Sequence, residues 1–269
     1  MLTKIFTWRG FKKLFPKFLW INLDPKTKNK FRRINYILSD NLVTTKWNGT
    51  PINFYISDVN ELRRAEKTHN EPSTQKWIDS FEKDDVFWDV GACIGVFTLY
   101  AAKRVGCRVF SFEPVFHNYN ILNRNIILNS LQDKVTAYCL SLHDSFDVSK
   151  IYLGKLQSAT SCSDFNNDRN ENRYGQGSIG IPIDTLIDYL PAPNHIKIDV
   201  DGNEKLIIDG MKKVLKNKNL KSVLVEINSS DKEEVVQYFK DNGFETILNE
   251  FTGMNRGEKS VNYIFKKIK

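Results

Sequence analysis

The sequence predicts an α/β protein built on a doubly wound, mostly parallel sheet. Three observations predict it. From residue 86 onward, apolar runs of strand length alternate with segments of helical period, which is the pattern of βαβ units. The first run leads into a glycine turn, Asp89-Val90-Gly91-Ala92-Cys93-Ile94-Gly95. The last two apolar runs, 244–248 and 261–265, have no helix between them and must therefore pair antiparallel.

The chain has 269 residues, of which 41% are hydrophobic and 26% charged. That suits a globular protein with a sizeable core and excludes disordered and fibrous classes. No run approaches the ~18 apolar residues of a membrane-spanning helix. Cys93, Cys107, Cys139 and Cys162 form no Cys-x-x-Cys pair. This argues against zinc ribbons and a disulfide scaffold and for a reducing, cytoplasmic compartment. The net charge of +7 is concentrated, because residues 1–35 hold ten Lys or Arg against Asp24 alone.

The elements follow in order. Residues 1–41 form a basic, aromatic arm. Trp8, Phe11, Leu14, Phe15, Phe18 and Leu19 share one side of a helical wheel, with Arg9, Lys12, Lys13 and Lys17 opposite and Pro16 as a break. Two readings stand. Residues 1–35 bind an anionic membrane surface, placing the protein peripherally at the inner face, or the aromatics dock on the main domain and the lysines stay solvated. Nucleic acid is not an expected partner, since no recognisable module accompanies the charge. Residues 42–57 read as a hairpin around Asn48-Gly49, and 72–82 as a helix with Pro72 in its first turn, giving an N-terminal segment of 42–82.

The main domain is expected over 83–269. Its strands are 86–90, 108–112, 135–142, 195–200 and 222–227, followed by the two terminal ones. Its helices are 94–105, 116–129, 204–215 and 231–241. An insertion, 143–194, separates the third strand from the fourth. Within it, residues 163–178 carry two aromatics and no aliphatic side chain, so this stretch is expected to be mobile, either as a plain surface loop or as a cover for the ligand crevice.

The glycine turn is the strongest chemical signal. Gly91 allows a tight turn with backbone close to a ligand, and Gly95 lets the helix pack against the sheet. Asp89 ends the first strand, where it can meet a cationic group. Glu113 ends the second strand, 18 residues after Gly95, where a carboxylate can accept both hydroxyls of an adenosine ribose. The Gly-x-x-x-Gly spacing and the antiparallel finish argue against NAD. Cys93 reads as a small filler of the turn.

These blocks, taken together and in order, resemble the FkbM-type S-adenosylmethionine-dependent methyltransferases. The matching segments are Asp89 to Ala102 (Asp-Val-Gly-Ala-Cys-Ile-Gly-Val-Phe-Thr-Leu-Tyr-Ala-Ala), Phe112-Glu113-Pro114 and Asn123-Arg-Asn-Ile-Ile-Leu-Asn129. Further matches are Ile183-Asp-Thr-Leu186, Ile196 to Glu204 and Val225-Glu226-Ile227, with Glu71-Pro72-x-Thr74 upstream. The resemblance covers residues 42–267. It implies a Rossmann-like, seven-stranded methyltransferase fold with S-adenosyl-L-methionine as cofactor. Asp89 and Gly91, with Ala92 and Gly95 completing the turn, would border the methionine part. Glu113 would hold the ribose, Leu140-Ser141 would lie near the adenine and Glu71 would cap the site. Cys93 stands where the family usually has Asn, and Asp201 where it usually has Glu.

The end of the fourth strand supplies candidate chemistry. Strand alternation puts Lys197, Asp199 and Asp201 on one side. Methyl transfer to oxygen needs alignment of donor and acceptor and a base for the acceptor proton. Asp199 is assigned as that base, with Asp201 and Glu204 orienting the acceptor and Lys197 biasing the local field. Alternatively, Asp199, Asp201 and Glu226 or Asn228 hold Mg²⁺, or the acids merely cap the following helix. No dedicated metal site is expected. The resulting expectation is an O-methyltransferase acting on a small-molecule or glycan acceptor, such as a hydroxyl of a polysaccharide precursor. The competing expectation is a non-catalytic adapter that keeps the fold and binds a membrane or partner.

Overall fold

A computed structural model describes residues 24, 27, 42–67, 71–153, 163–165, 174–200, 202–255 and 258–268. The chain divides into units of Met1–Leu42 and Val43–Lys269. The arm expected over residues 1–41 lies outside the described residues apart from Asp24 and Thr27. Among the described residues, no helix is long and apolar enough to cross a membrane.

The centre is a seven-stranded sheet of β3 (Val86–Val90), β4 (Arg108–Phe112), β5 (Val135–Tyr138), β10 (His195–Ile198), β11 (Ser222–Asn228), β12 (Phe244–Asn255) and β13 (Glu258–Lys267). Their spatial order is β12-β13-β11-β10-β3-β4-β5. Strands β5, β4, β3, β10 and β11 run parallel, whereas β13 lies antiparallel between β11 and β12. This is the doubly wound sheet that the sequence predicts. The order reverses beside β3, so a crevice opens at the C-terminal ends of β3 and β10.

Strands buried on both faces need apolar side chains in both directions, and these have them. One face packs Phe87, Val109, Leu224 and Ile264 against the helix α3 (Val96–Tyr100) and α4 (Phe116–Leu128). The other packs Trp88, Val90, Phe110, Phe112 and Val225 against α6 (Glu204–Asp209), α7 (Lys212–Lys216) and α8 (Lys232–Asp241).

The hairpin forms as expected from β1 (Leu42–Trp47) and β2 (Thr50–Tyr55), with positive φ at Asn48 and Gly49. It is fastened by α4: Asn125 and Asn129 accept the backbone N–H groups of Tyr55 and Asn53, at 2.7 and 3.0 Å. Between the hairpin and β3 lie α1 (Val59–Lys67), which the sequence reading lacks, and α2 (Pro72–Asp79).

Three local departures have physical causes. The third strand stops at Tyr138 because the chain leaves the main sheet. Residues Ser141–His143 form β6, which joins β7 (Asp147–Leu153), β8 (Ser163–Phe165) and β9 (Tyr174–Pro182) in a second sheet of order β6-β9-β7-β8. The expected loop over 163–178 therefore contains strand at both ends, and the short helix α5 (Ile183–Leu186) follows it. The helix expected over 204–215 breaks into α6 and α7 at Gly210, where a side chain would sit 2.4 Å from the His143 carbonyl oxygen. The helix after the glycine turn ends in a π-helical turn, Ala101–Val105, closed by Gly106.

Candidate functional site

A cleft at the C-terminal edge of the sheet, partly open to solvent, spans about 430 Å³ with its solvent-open mouth included. Gly91 at the end of β3, Phe112 and Pro114 at the end of β4, and Leu140 and Ser141 between β5 and β6 line one part of it. Val200, Asn203 and Ile207 line another. Ser141 also shares a hydrogen bond with Ser178 of β9 at 3.1 Å, so the second sheet is tied to the cleft wall.

The turn above β3 is held from two sides. Gly91 and Ala92 both donate to the Phe112 carbonyl, at 2.9 and 3.2 Å. Gly91 has φ +81°, and a Cβ there would lie 1.9 Å from the Asp199 carbonyl oxygen. Its lack of a side chain thus serves the contact between this turn and the end of β10. Gly95 (φ +89°) leaves room for Leu122 of α4, whose methyl a Cβ would meet at 2.5 Å. The close approach at this glycine is therefore to a neighbouring helix, whereas the sequence predicts the sheet.

Glu113 is 4% exposed. One carboxylate oxygen accepts the Cys93 N–H at 2.8 Å, and the other accepts the Val115 N–H at 2.9 Å and the Asn118 side-chain amide at 3.2 Å. Burial pushes its pKa up to about 7, against the lowering effect of these donors. The carboxylate ties the glycine turn, with Cys93 at φ +51°, to the end of β4. Asn118 is a residue that the sequence reading missed; it lies five positions after Glu113, one helical turn into α4.

On the sheet face that carries α3, a polar row crosses the strands. Asp89 on β3 is register partner of Lys197 on β10, and Lys197 reaches forward to Asp199 at 2.6 Å. Glu226 on β11 is register partner of Asn262 on β13. Asn262 donates to Glu71 at 3.1 Å, and Thr252 donates to Glu226 at 2.7 Å. Lys197 is 1% exposed, with its ammonium 4.9 Å from the Phe97 ring centroid. Burial would neutralise it, but Asp199, Asp89 and Glu71 hold its pKa above the usual lysine range.

The carboxyls respond unequally to that one cation. Burial would raise Asp199, but Lys197 outweighs it and holds the group below the ordinary aspartate value. Glu226 lies farther from the ammonium. Burial and the neighbouring Asp199 charge push it up to about 8. Burial likewise raises Glu71 and Asp89. Asp89 accepts from Thr98 at 2.6 Å through one oxygen, and its other oxygen has no hydrogen-bond partner among the described residues. Glu226 and Asn262 join the site through strand register, a relation that no local motif encodes, while Thr98 reaches it from α3 and Thr252 from β12.

The chemistry of this edge can be matched to known proteins. The methyltransferase FkbM domain matches residues 89–246. The chain belongs to the FkbM methyltransferase family. A hexuronic acid methyltransferase of Haloferax volcanii, AglP, is 27% identical over 218 residues, spanning 79% of this chain and 84% of that protein. Similar solved structures include M. jannaschii TYW2 in complex with AdoMet, with a TM-score of 0.47, 14% identity and coverage of 86% of this chain and 88% of that one. Another is the M. jannaschii tRNA m1G37 methyltransferase, with a TM-score of 0.49, 14% identity and coverage of 86% and 58%.

This FkbM-family protein is a methyltransferase, and the cofactor that the sequence resemblance implies is S-adenosyl-L-methionine. The residues present fit that group: an apolar cleft wall for a flat base, a buried carboxylate at the end of β4, and a side-chain-free turn at Gly91 on the cleft lining. Asp201 lies outside the described residues. Glu204 folds back to accept the N–H groups of Val200 and Gly202, at 3.2 and 2.9 Å. It closes the turn into α6, the capping alternative of the sequence reading. Among the described residues, no group of three or more His, Cys, Asp or Glu could hold a metal ion, and the Lys197 ammonium already neutralises Asp199.

Proposed function

We propose that the protein transfers a methyl group from S-adenosyl-L-methionine to a hydroxyl oxygen, with a sugar or polysaccharide precursor as acceptor. The donor supplies an electrophilic methyl carbon on sulfur. Glu113 binds the ribose hydroxyls, and Leu140 and Ser141 border the adenine. The backbone of Gly91 and Ala92, with Gly95 shaping the turn, receives the methionine part, and Asp89 and Glu71 provide negative charge for its amino group. As the acceptor oxygen forms its bond to the methyl carbon, the carbon–sulfur bond breaks and its electron pair stays on sulfur. The hydroxyl proton goes to Asp199.

At neutral pH Glu226 retains its proton and Asp199 is the ionised member of the pair, so Asp199 is ready to accept. Lys197 is too deeply buried to reach an acceptor and acts as a positioning residue that keeps Asp199 charged and aimed. The observation that carries the reading is the close approach of Gly91, which lines the cleft, to the backbone carbonyl of Asp199, so that the candidate base follows directly from the cleft's edge.

Calorimetric titration with S-adenosylhomocysteine tests it. Glu113→Ala should abolish binding. Asp199→Asn should leave binding intact and reduce turnover by about 10²–10⁴-fold, the usual contribution of a general base. Full turnover in Asp199→Asn would show that another group takes the proton.

A further inference from the structure

Two residues beyond the Glu226–Asn262 pair, the β11–β13 ladder places Asn228 opposite Ser260. Strand alternation puts all four on the same face. Ser260 is 2% exposed, yet neither its hydroxyl nor the Asn228 side-chain oxygen has a hydrogen-bond partner among the described residues. Buried polar atoms are nearly always paired, and a facing pair left open is a place prepared for a ligand. The neighbouring polar atoms are engaged: Asn262 with Glu71 and Thr74, Glu226 with Thr252, and Ser73 with Glu250. On the β11–β13 side of Asp199 the open capacity therefore lies at the far end of the row; the row's other unpartnered oxygen, on Asp89, lies on the β3 side.

We propose that this stretch of the β11–β13 ladder, with Glu226 and Asn262 nearest the base and Asn228 and Ser260 beyond, is the acceptor subsite, and that it takes an uncharged, hydroxyl-bearing sugar. The assignment rests on the methyltransferase reading above and adds to it where the acceptor lies and what charge it has. Two residues along a strand span about 6.8 Å, a length comparable with the width of a hexose ring. A sugar with one hydroxyl at Asp199 can therefore present another to Asn228 and Ser260. The Asn228 oxygen accepts from a hydroxyl, and the Ser260 hydroxyl both donates and accepts, so the pair reads a hydroxyl group and offers a carboxylate no cation. Around them stand the carboxyl groups of Asp199, Glu226, Glu71 and Glu250, whereas the ammonium of Lys197 is already shared among Asp199, Asp89 and Glu71, and the guanidinium of Arg64 acts on Asp199 and Glu113. A uronate would bring a further negative charge into this set.

The test uses the full chain with methyl-labelled S-adenosyl-L-methionine. The acceptor probes are methyl glucoside, methyl mannoside and methyl rhamnoside on one side and methyl glucuronide on the other. The expected result is label on a neutral glycoside, held as an alkali-stable ether. Asn228→Leu and Ser260→Val should each lower kcat/KM for that glycoside by about tenfold, the factor that corresponds to one lost hydrogen bond. The affinity of both variants for S-adenosylhomocysteine should stay unchanged. The thermal midpoint of a third variant, Ser260→Ala, should stay level or rise, because an unpaired buried hydroxyl is removed.

Alkali-labile label on the glucuronide, or no label on any glycoside while S-adenosylhomocysteine still binds, overturns the subsite and leaves the cofactor assignment standing. A clear fall in the midpoint of Ser260→Ala also overturns it, since the hydroxyl would then have an internal structural partner. Failure of the unmodified protein to bind S-adenosylhomocysteine overturns the functional reading beneath it.

Discussion

Replacing Lys197 with methionine probes the centre of the polar row. The side chain is 1% exposed, and its ammonium is 2.6 Å from Asp199. At an effective dielectric constant of about 20, unit charges at that separation attract by about 6 kcal/mol. The variant does not lose the whole amount, because the stranded carboxyls can take up a proton. Removing one partner of a buried pair typically costs about 3–5 kcal/mol, and Lys197→Met should fall in that range at pH 7. The pH dependence has a definite sign. Without the cation, the folded-state pKa of Asp199 rises from below its unfolded value, and those of Asp89 and Glu71 rise further above theirs. The folded variant then binds more protons than the unfolded chain, and its stability increases on acidification. Urea unfolding of both proteins between roughly pH 8 and pH 5 should show the deficit narrowing as pH falls. A deficit below about 1 kcal/mol that is equal at every pH would refute the role given to this lysine.

Other outcomes follow from contacts elsewhere in the chain. Gly91→Ala combines a Cβ 1.9 Å from the Asp199 carbonyl with a left-handed conformation that costs a non-glycine residue about 1–2 kcal/mol. It should lower stability by more than the backbone term alone and weaken S-adenosylhomocysteine binding by calorimetry; wild-type values in both would remove the contact from consideration. At the opposite end of the sheet, Trp77 donates to Ser222 at 2.8 Å, Ser222 meets Nδ1 of His195 at 2.7 Å, and Nε2 faces Asp85 at 3.1 Å. The chain closes with the imidazole neutral and its proton on Nε2. Burial pushes the His195 pKa down to about 4 from an ordinary 6.5. A depressed histidine stabilises the fold above the unfolded value and loses that support as pH falls from 6.5 toward 4. At about 1.4 kcal/mol per pH unit, the loss approaches roughly 3 kcal/mol. His195→Gln should flatten this segment of the stability profile measured by urea unfolding; an unchanged slope would assign the acid sensitivity to other groups.

The sheet was legible in the sequence because buried parallel strands must be apolar on both faces, and Val86 to Val90, Arg108 to Phe112 and Ser222 to Ile227 stand out between glycines and charged residues. The turn was legible because positive φ at Gly91 and Gly95 demands glycine. The second sheet was not, because Tyr174-Gly-Gln-Gly-Ser lacks the alternation by which half-buried strands are recognised, and its order depends on pairing with β6 and β7. The need for glycine at 210 was hidden for a similar reason, since the His143 carbonyl that a side chain would strike lies over 60 residues away. In the site, Glu113, Lys197 and Asp199 could be named from strand ends. That Lys197 lies opposite Asp89, and that Asn262 faces Glu226, follows from strand register, which a single sequence does not specify.

The position of β10 also bears on how the chain is made. It lies between β3 and β11, yet about a hundred residues separate it from β3 in sequence, and long-range parallel pairing is slow to form. During synthesis the flank of β3 that β10 will occupy stays open until the whole insertion has left the ribosome. That flank, Val86 to Val90, includes Phe87, Trp88 and Val90, which are among the most buried residues of the finished protein. An unpaired apolar strand edge invites association with other nascent chains. Yield in the cell is therefore tied to translation speed across residues 143–194 and to chaperone supply, and slowing the ribosome there should send more of the product into inclusion bodies.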